Sequence, residues 1–220
     1  MQFSGQPTHW PPAVRYLTVP EASPKLPKEL KTLYCANSFA TPNPPPKVAI
    51  RIITEPADHP ALGQRGLFYN GSKKLEPRTW IRDYIGIVHT DVHDQDPTSD
   101  YDLTLERRTL PAKNDLASSS YGHAGGEGKQ NDRQGEYSVV AIDATKAGNE
   151  ARFVNDYRGV AEKPNAVFEL REWHDRKTGQ VVGRRMAIWA GPKGVDRGAE
   201  ICVSYGKGFW QQRKSETGGT

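Results

Sequence analysis

The chain has 220 residues, room for one domain with a long arm and too few for two full domains; 17 prolines and 21 glycines make it loop-rich, while 35% hydrophobic content keeps it from reading as disordered. Two cysteines, Cys35 and Cys202, exclude a disulfide framework and a four-thiolate zinc site, no apolar run nears the ~20 residues of a membrane span, and the N-terminus lacks a signal pattern, so a soluble intracellular chain is expected. A net charge of +4 with basic residues spread along the chain is compatible with an anionic partner without requiring one.

Twelve of the 17 prolines fall in residues 1–60, which sets off residues 1–46 as a proline-rich N-terminal arm from a body over 47–210 and a tail over 211–220. Within the arm, 26–34 (LPKELKTLY) is the one stretch with helical periodicity, and Pro42-Asn43-Pro44-Pro45-Pro46 reads as extended backbone. The β-branched run that follows predicts a strand near 47–54. Residues 66–69 and 79–88 read as two further strands, divided by the turn signals Asn70-Gly71 and Glu76-Pro77, in a meander rather than a βαβ unit. Residues 111–135 carry five glycines and almost no large apolar side chain, the composition of a mobile surface insertion. Strands resume at 136–144, 167–174 and 184–190, the last two joined as a hairpin through Asp175-Arg176-Lys177-Thr178-Gly179. The expected fold class is mostly β with few short helices, without internal repeats.

Four motifs occur in a fixed order: Gly63-Gln64-Arg65-Gly66-Leu67-Phe68; Asp83-Tyr84-Ile85-Gly86; Ile142-Asp143-Ala144 with Gly148-Asn149-Glu150-Ala151-Arg152-Phe153-Val154-Asn155-Asp156; and 198–210 (GAEICVSYGKGFW). Over residues 50–210 this series resembles the SET-domain protein lysine methyltransferases, the third and fourth motifs being the specific ones. The resemblance implies small β-sheets with a knot-like C-terminal crossing near the Arg-Phe-x-Asn motif, and S-adenosylmethionine bound beside it without a metal.

The residue types suit that chemistry. Glycine such as Gly66 lets backbone approach a ligand closely, so Arg65, Gly66 and Leu67 are expected at the methionine part of the cofactor. Asn155 can donate and accept at once, Arg152, Phe153 and Asp156 would shape the same wall, and Phe209 and Trp210 offer flat faces to an adenine. By resemblance, Tyr205 is the catalytic residue, at the point where a narrow lysine channel formed with Phe168, Tyr84 and Val203 meets the methyl group. A Phe at 168, where the family has Phe or Tyr, implies that more than one methyl can be added.

The sequence departs from the family pattern at Asp156 for the usual His, at Tyr157-Arg158 for the usual Ser-Cys, and at Gln64 for the first Gly of Gly-x-Gly. No cysteine cluster follows Trp210 or precedes the body, so the tail 211–215 or a partner chain would have to close the channel. The expected partner is a lysine-bearing protein, in the first place a histone tail or nucleosome drawn by Asp91, Asp94, Asp96, Asp100 and Asp102, which implies a nuclear, chromatin-bound location with a cytoplasmic one as the alternative. DNA contact through Lys73-Lys74, Arg107-Arg108 and Arg184-Arg185 has weaker support, since basic pairs are usually solvated. The N-terminal arm could pack on the domain or pair two copies into a homodimer, and His89, His93 and His174 are expected at the surface or at strand ends. Competing readings are a catalytically idle SET-like module that binds a peptide or nucleosome, motivated by Asp156, and a nucleic-acid-binding domain with steep salt dependence.

Overall fold

The computed structural model describes residues 6–36, 41–108, 137–206 and 209–210. The expected insertion at 111–135 and the tail at 211–220 lie outside them. The described chain is mostly β with one α-helix, as its composition and periodicity imply.

Strands β1 (Arg15–Tyr16) and β2 (Glu21–Ala22) precede helix α1 (Lys28–Cys35). The helix buries Leu30 and Tyr34, which share a face at a spacing of four, and leaves Lys31 in solvent. It follows Pro27, whose fixed backbone suits a helix start, and packs on the later hairpin. Thus the proline-rich segment is joined to the body: β1 pairs parallel with β9 (Ala147–Gly148) and β2 pairs parallel with β6 (Ile87–Thr90).

β3 (Val48–Ile52) and β4 (Arg65–Tyr69) form an antiparallel pair in full register. The single strand expected over 79–88 is instead two, β5 (Trp80–Asp83) and β6, which belong to different sheets. The break lies at Tyr84-Ile85-Gly86. A side chain at Gly86 would meet the Asp143 carbonyl at 2.4 Å, so the chain can pass this close to β8 (Val139–Asp143) only without one. Asn149 fixes the crossing by accepting from the Ile85 amide and donating to the Asp83 carbonyl.

β6 and β8 sit side by side in a four-stranded sheet of order β2-β6-β8-β7, where β7 is Asp102–Arg107. β11 (Ala166–His174) and β12 (Val181–Ala190) form the expected hairpin, and β5 completes their sheet. At its turn the Asp175 carboxylate accepts from the amides of Lys177 and Thr178, and Gly179 takes a φ of +71° that favours glycine. The meander expected over 66–88 is not formed: β4 pairs with β3, β5 with β12, and β6 with β2 and β8, so these consecutive strands lie in separate sheets.

The last strand, β13 (Cys202–Val203), runs parallel to β10 (Asn155–Asp156). Its flanks are held on the other side by β4, through Ile201 N–H to Leu67 O and Tyr69 N–H to Ala199 O. Asn165 closes the loop around it, donating to Glu200 O and accepting from Cys202 N–H. The C-terminal segment thus passes between β4 and the 155–165 loop. Ile81, Val88, Val140, Ile188, Ile201 and Val203 form the centre of one apolar core that joins these small sheets.

One polar knot is buried beside that core. Asp83 accepts from Trp80 Nε1 at 2.8 Å, Arg171 Nη1 at 2.7 Å and Arg185 Nη1 at 3.3 Å, while the Arg171 guanidinium lies between the Trp80 and Trp173 rings. His89, expected at a surface or strand end, is fully buried in β6. Its two ring nitrogens face the Asp102 carboxylate and the Thr90 carbonyl, which satisfy it inside the sheet. Among the described residues, no helix is long and apolar enough to cross a membrane.

Candidate active site

The site is built where β10, β13 and a short 3-10 turn (Glu150–Phe153) converge. Asn149 caps the turn by accepting from the Ala151 amide, which leaves Arg152 and Phe153 buried against the body. Arg152 donates from Nε to the Ala144 carbonyl at 2.8 Å, and its guanidinium lies 3.9 Å from the centre of the Tyr101 ring. Phe153 meets Trp10 edge-on at 5.5 Å, tying the N-terminal segment to the site.

Two cavities adjoin here. The larger, of about 520 Å³, takes its walls from Pro11 and Val14 of the N-terminal segment, from the 59–65 loop and from Arg152, Phe153, Asn155, Asp156, Arg158, Phe209 and Trp210. The smaller, of about 100 Å³, is walled by Tyr84, Tyr101, Asp102, Leu103, Val154, Phe168 and Ser204. Asp100, Tyr101, Arg152, Tyr205 and Phe209 line both, so these side chains form the partition between them.

Of the residues singled out from sequence, Arg65, Arg152, Phe153, Asn155, Asp156, Phe209 and Trp210 lie together on the larger cavity, and Tyr84 and Phe168 on the smaller. Tyr205 stands on the partition. Leu67 and Val203 are wholly buried core residues and line neither cavity. Gly66 lines neither as well, and the space a side chain would take there is filled by the Glu200 carboxylate at 2.7 Å, Phe68 and Ile53. Its missing side chain leaves room for the packing of Glu200.

Glu200, within the fourth motif, anchors a network that extends to His59, a residue that no motif signalled. Its Oε1 accepts from Asn155 Nδ2 at 2.7 Å and its Oε2 contacts His59 Nε2 at 2.9 Å. His59 Nδ1 accepts from the Ala61 amide, so the ring proton sits on Nε2 and is donated to Glu200. His59 and Asn155 both line the larger cavity, held from behind by this carboxylate. Asp156 is similarly engaged: it accepts from the Tyr205 amide, the Trp210 indole and Arg158.

Tyr205 donates its hydroxyl proton to the Val154 carbonyl at 2.7 Å. Burial, then the nearby Asp156 charge, pushes its phenol well above the usual range, so it stays protonated at neutral pH. The oxygen keeps an acceptor site for a second partner. Tyr84 behaves alike: burial raises its phenol, and its hydroxyl donates to the Tyr101 carbonyl at 2.9 Å. Phe168 meets the Tyr84 ring edge-on at 5.8 Å. The Cys202 thiol is pushed up to about 12 by burial and by the Glu200 charge, which leaves it an inert core residue.

Among the expected acidic attractants, Asp91 is committed to Ser138 and Val139, and Asp102 to His89, while Asp100 lines both cavities. No group of three or more His, Cys, Asp or Glu side chains with metal-binding geometry occurs among the described residues.

No protein-family model and no curated protein matches the chain. Among solved structures, it is similar to ATXR5 in complex with histone H3.1 mono-methylated on R26, at 17% identity and a TM-score of 0.45, over 73% of this chain and 57% of that one. It is also similar to KRYPTONITE in complex with mCHH DNA, an H3(1-15) peptide and SAH, at 14% identity and a TM-score of 0.42, over 73% of this chain and 23% of that one. The chain therefore spans less than two thirds of either of these proteins.

Proposed function

We propose that the protein is an S-adenosylmethionine-dependent protein lysine N-methyltransferase of the SET-domain type. The observation that carries this reading is the pair of cavities, large and narrow, that meet at Tyr205. A transfer between a bulky donor and a lysine side chain needs two binding spaces with one shared point.

The larger cavity falls in the ~300–1,000 Å³ range of small-molecule sites. Its residues fit the cofactor chemically: Phe209 and Trp210 offer aromatic faces for a base, Asn155 has an amide edge, and Arg65, Arg152 and Arg158 bring positive charge for a carboxylate. S-adenosylmethionine supplies a methyl carbon bonded to a positively charged sulfur, which a neutral amine can displace in line.

The chain's own residues then have three tasks. The walls of Tyr84, Phe168, Leu103 and Val154 strip water from the alkyl stem of a lysine and steer its nitrogen to the partition. The apolar walls, with the positive charge of Arg152 and of a bound sulfonium, favour the neutral amine, lowering a pKa that starts at ~10.4 against the pull of Asp100 and Asp102. Tyr205, with its proton given to Val154, accepts from an amine N–H and so turns the nitrogen lone pair toward the larger cavity. Because its phenol stays protonated, Tyr205 orients the amine and does not take its proton. Phe168 contributes no hydroxyl to the slot, which supports addition of more than one methyl.

The substrate is a lysine in a basic tail, with a histone tail the first to test and chromatin as its setting; Asp100 at the junction of the cavities supports attraction of positive charge. The test is transfer of labelled methyl to recombinant nucleosomes and to free core histones, comparing wild type with Tyr205→Phe. We expect label that falls by about 100-fold or more in the variant, and di- or trimethyl-lysine among the products by mass spectrometry. Monomethyl-lysine alone at long incubation would refute the role of Phe168. Absence of cofactor binding by calorimetry would overturn the whole reading in favour of an idle binding module.

A further inference from the structure

Of the three residues at which the Asn155 motif departs from the pattern it resembles, Asp156 and Arg158 line the larger cavity, and Tyr157 between them holds its ring 5.2 Å from the Arg158 guanidinium. We propose that they form a clasp that holds the aromatic series Tyr205, Phe209 and Trp210 against the cavity, with Asp156 as a positioning residue for cofactor binding. This inference rests on the methyltransferase reading.

The clasp is centred on one buried carboxylate, whose side chain is only 5% exposed. Asp156 Oδ2 accepts from the Tyr205 amide at 2.7 Å, from Trp210 Nε1 at 3.3 Å and from Arg158 Nη1 at 3.0 Å. Oδ1 accepts from the Arg158 amide at 2.9 Å and from Nη1 at 3.1 Å. Each of these partners donates, so the site calls for a group that only accepts, and an ionised carboxylate is that group. The Arg158 guanidinium is in turn flanked by aromatic rings, 5.2 Å from the centre of Tyr157 and 5.5 Å from that of Trp210.

The two ends that Asp156 grips are the two ends of a ring series. Tyr205 meets Phe209 edge-on at 4.9 Å, and Phe209 meets Trp210 edge-on at 5.4 Å. With Tyr205 held by its backbone and Trp210 by its indole, Phe209 is packed between their rings. Tyr205 and Phe209 are partition residues, and Trp210 lines the larger cavity. One carboxylate thus sets both the wall on which a base would rest and the strand end that presents Tyr205 to the slot.

Asp156→Asn is the incisive change. It keeps the volume but offers one acceptor oxygen, and its amide hydrogens oppose the Tyr205 or Trp210 donor. Trp210→Phe removes a single donor and keeps an aromatic ring. Both are measured for hydrogen exchange over residues 204–210, for the dissociation constant of S-adenosylhomocysteine by calorimetry, and for kcat and KM, with thermal melting as the control for folding. We expect Asp156→Asn to speed exchange over 204–210 and to weaken S-adenosylhomocysteine by about tenfold or more, the scale of losing hydrogen bonds to a charged group. Trp210→Phe should weaken it less, and should add little in the Asp156→Asn background.

Unchanged exchange and unchanged affinity in Asp156→Asn would overturn the clasp. Should that variant not fold, Trp210→Phe decides alone: faster exchange at 204–210 supports the clasp and unchanged exchange overturns it. Wild-type protein that binds no S-adenosylhomocysteine refutes the methyltransferase reading instead, while the exchange comparison still tests the clasp.

Discussion

Replacing Gly66 by Ala puts a methyl group 2.7 Å from Glu200 Oε1, 3.0 Å from Phe68 Cε2 and 3.1 Å from Ile53 Cδ1. Glu200 is the end of a flexible side chain, but it is not free to yield, because it is buried and bonded to His59 and Asn155. Displacing Oε1 gives up a hydrogen bond to a charged group, about 1.5–3 kcal/mol, and crowding Phe68 and Ile53 costs about 1–3 kcal/mol. Gly66 does not occupy the left-handed region, so Ala also restricts the unfolded chain, an offset of about 0.4–1 kcal/mol. The net loss is about 2–5 kcal/mol, measured as a shift of the urea midpoint at constant slope. In a Glu200→Ala background the closest of the three contacts is gone while Phe68 and Ile53 still crowd the methyl group, and the penalty should fall by about half. An unaltered midpoint in Gly66→Ala, or the same penalty in both backgrounds, would refute the assignment of Gly66 to the packing of Glu200.

Two further outcomes follow from buried charges. Asp83→Ala removes the common acceptor of Trp80, Arg171 and Arg185 and should destabilise by about 3–5 kcal/mol in denaturant titration; a loss under about 1 kcal/mol would show the knot to be dispensable. For His89, burial pushes the imidazole pKa down, but the Asp102 hydrogen bond and charge together with the Thr90 carbonyl outweigh it, and the net shift is upward. A folded pKa raised above the unfolded value of ~6.5 gives stabilisation that is fully present below that pH and is lost as pH rises through the folded pKa. Melting temperatures of wild type should therefore fall toward those of His89→Gln as pH climbs above ~6.5; a pH-independent gap between the two would contradict the linkage.

Much of the fold was legible because its signals are local. The helix near 26–34, the strand after the proline run and the 166–190 hairpin each rest on periodicity, β-branched content or turn residues within a short window. The split of 79–88 was not legible. Its cause is the approach of β8 to Gly86, from residues more than fifty positions away. The two-residue parallel pairs escaped for the same reason.

The candidate site divides along similar lines. Tyr205, Asn155, Arg152 and the Phe209-Trp210 pair stood out through the order and spacing of motifs, which a single sequence displays. His59, Tyr101 and Arg158 carry no such pattern, and Asp100 was visible only as one acid in a series. They reach the cavities because the 59–65 loop, the start of β7 and the turn after β10 fold to one place. Residue types alone determined that this chain is a mostly β molecule bearing an ordered set of polar and aromatic motifs. Only the tertiary structure decided that Gly66 yields its space to Glu200 and that Asp156 grips both ends of an aromatic series. Close packing and hydrogen-bond satisfaction are properties of neighbours in space, and sequence order does not encode which neighbours those are.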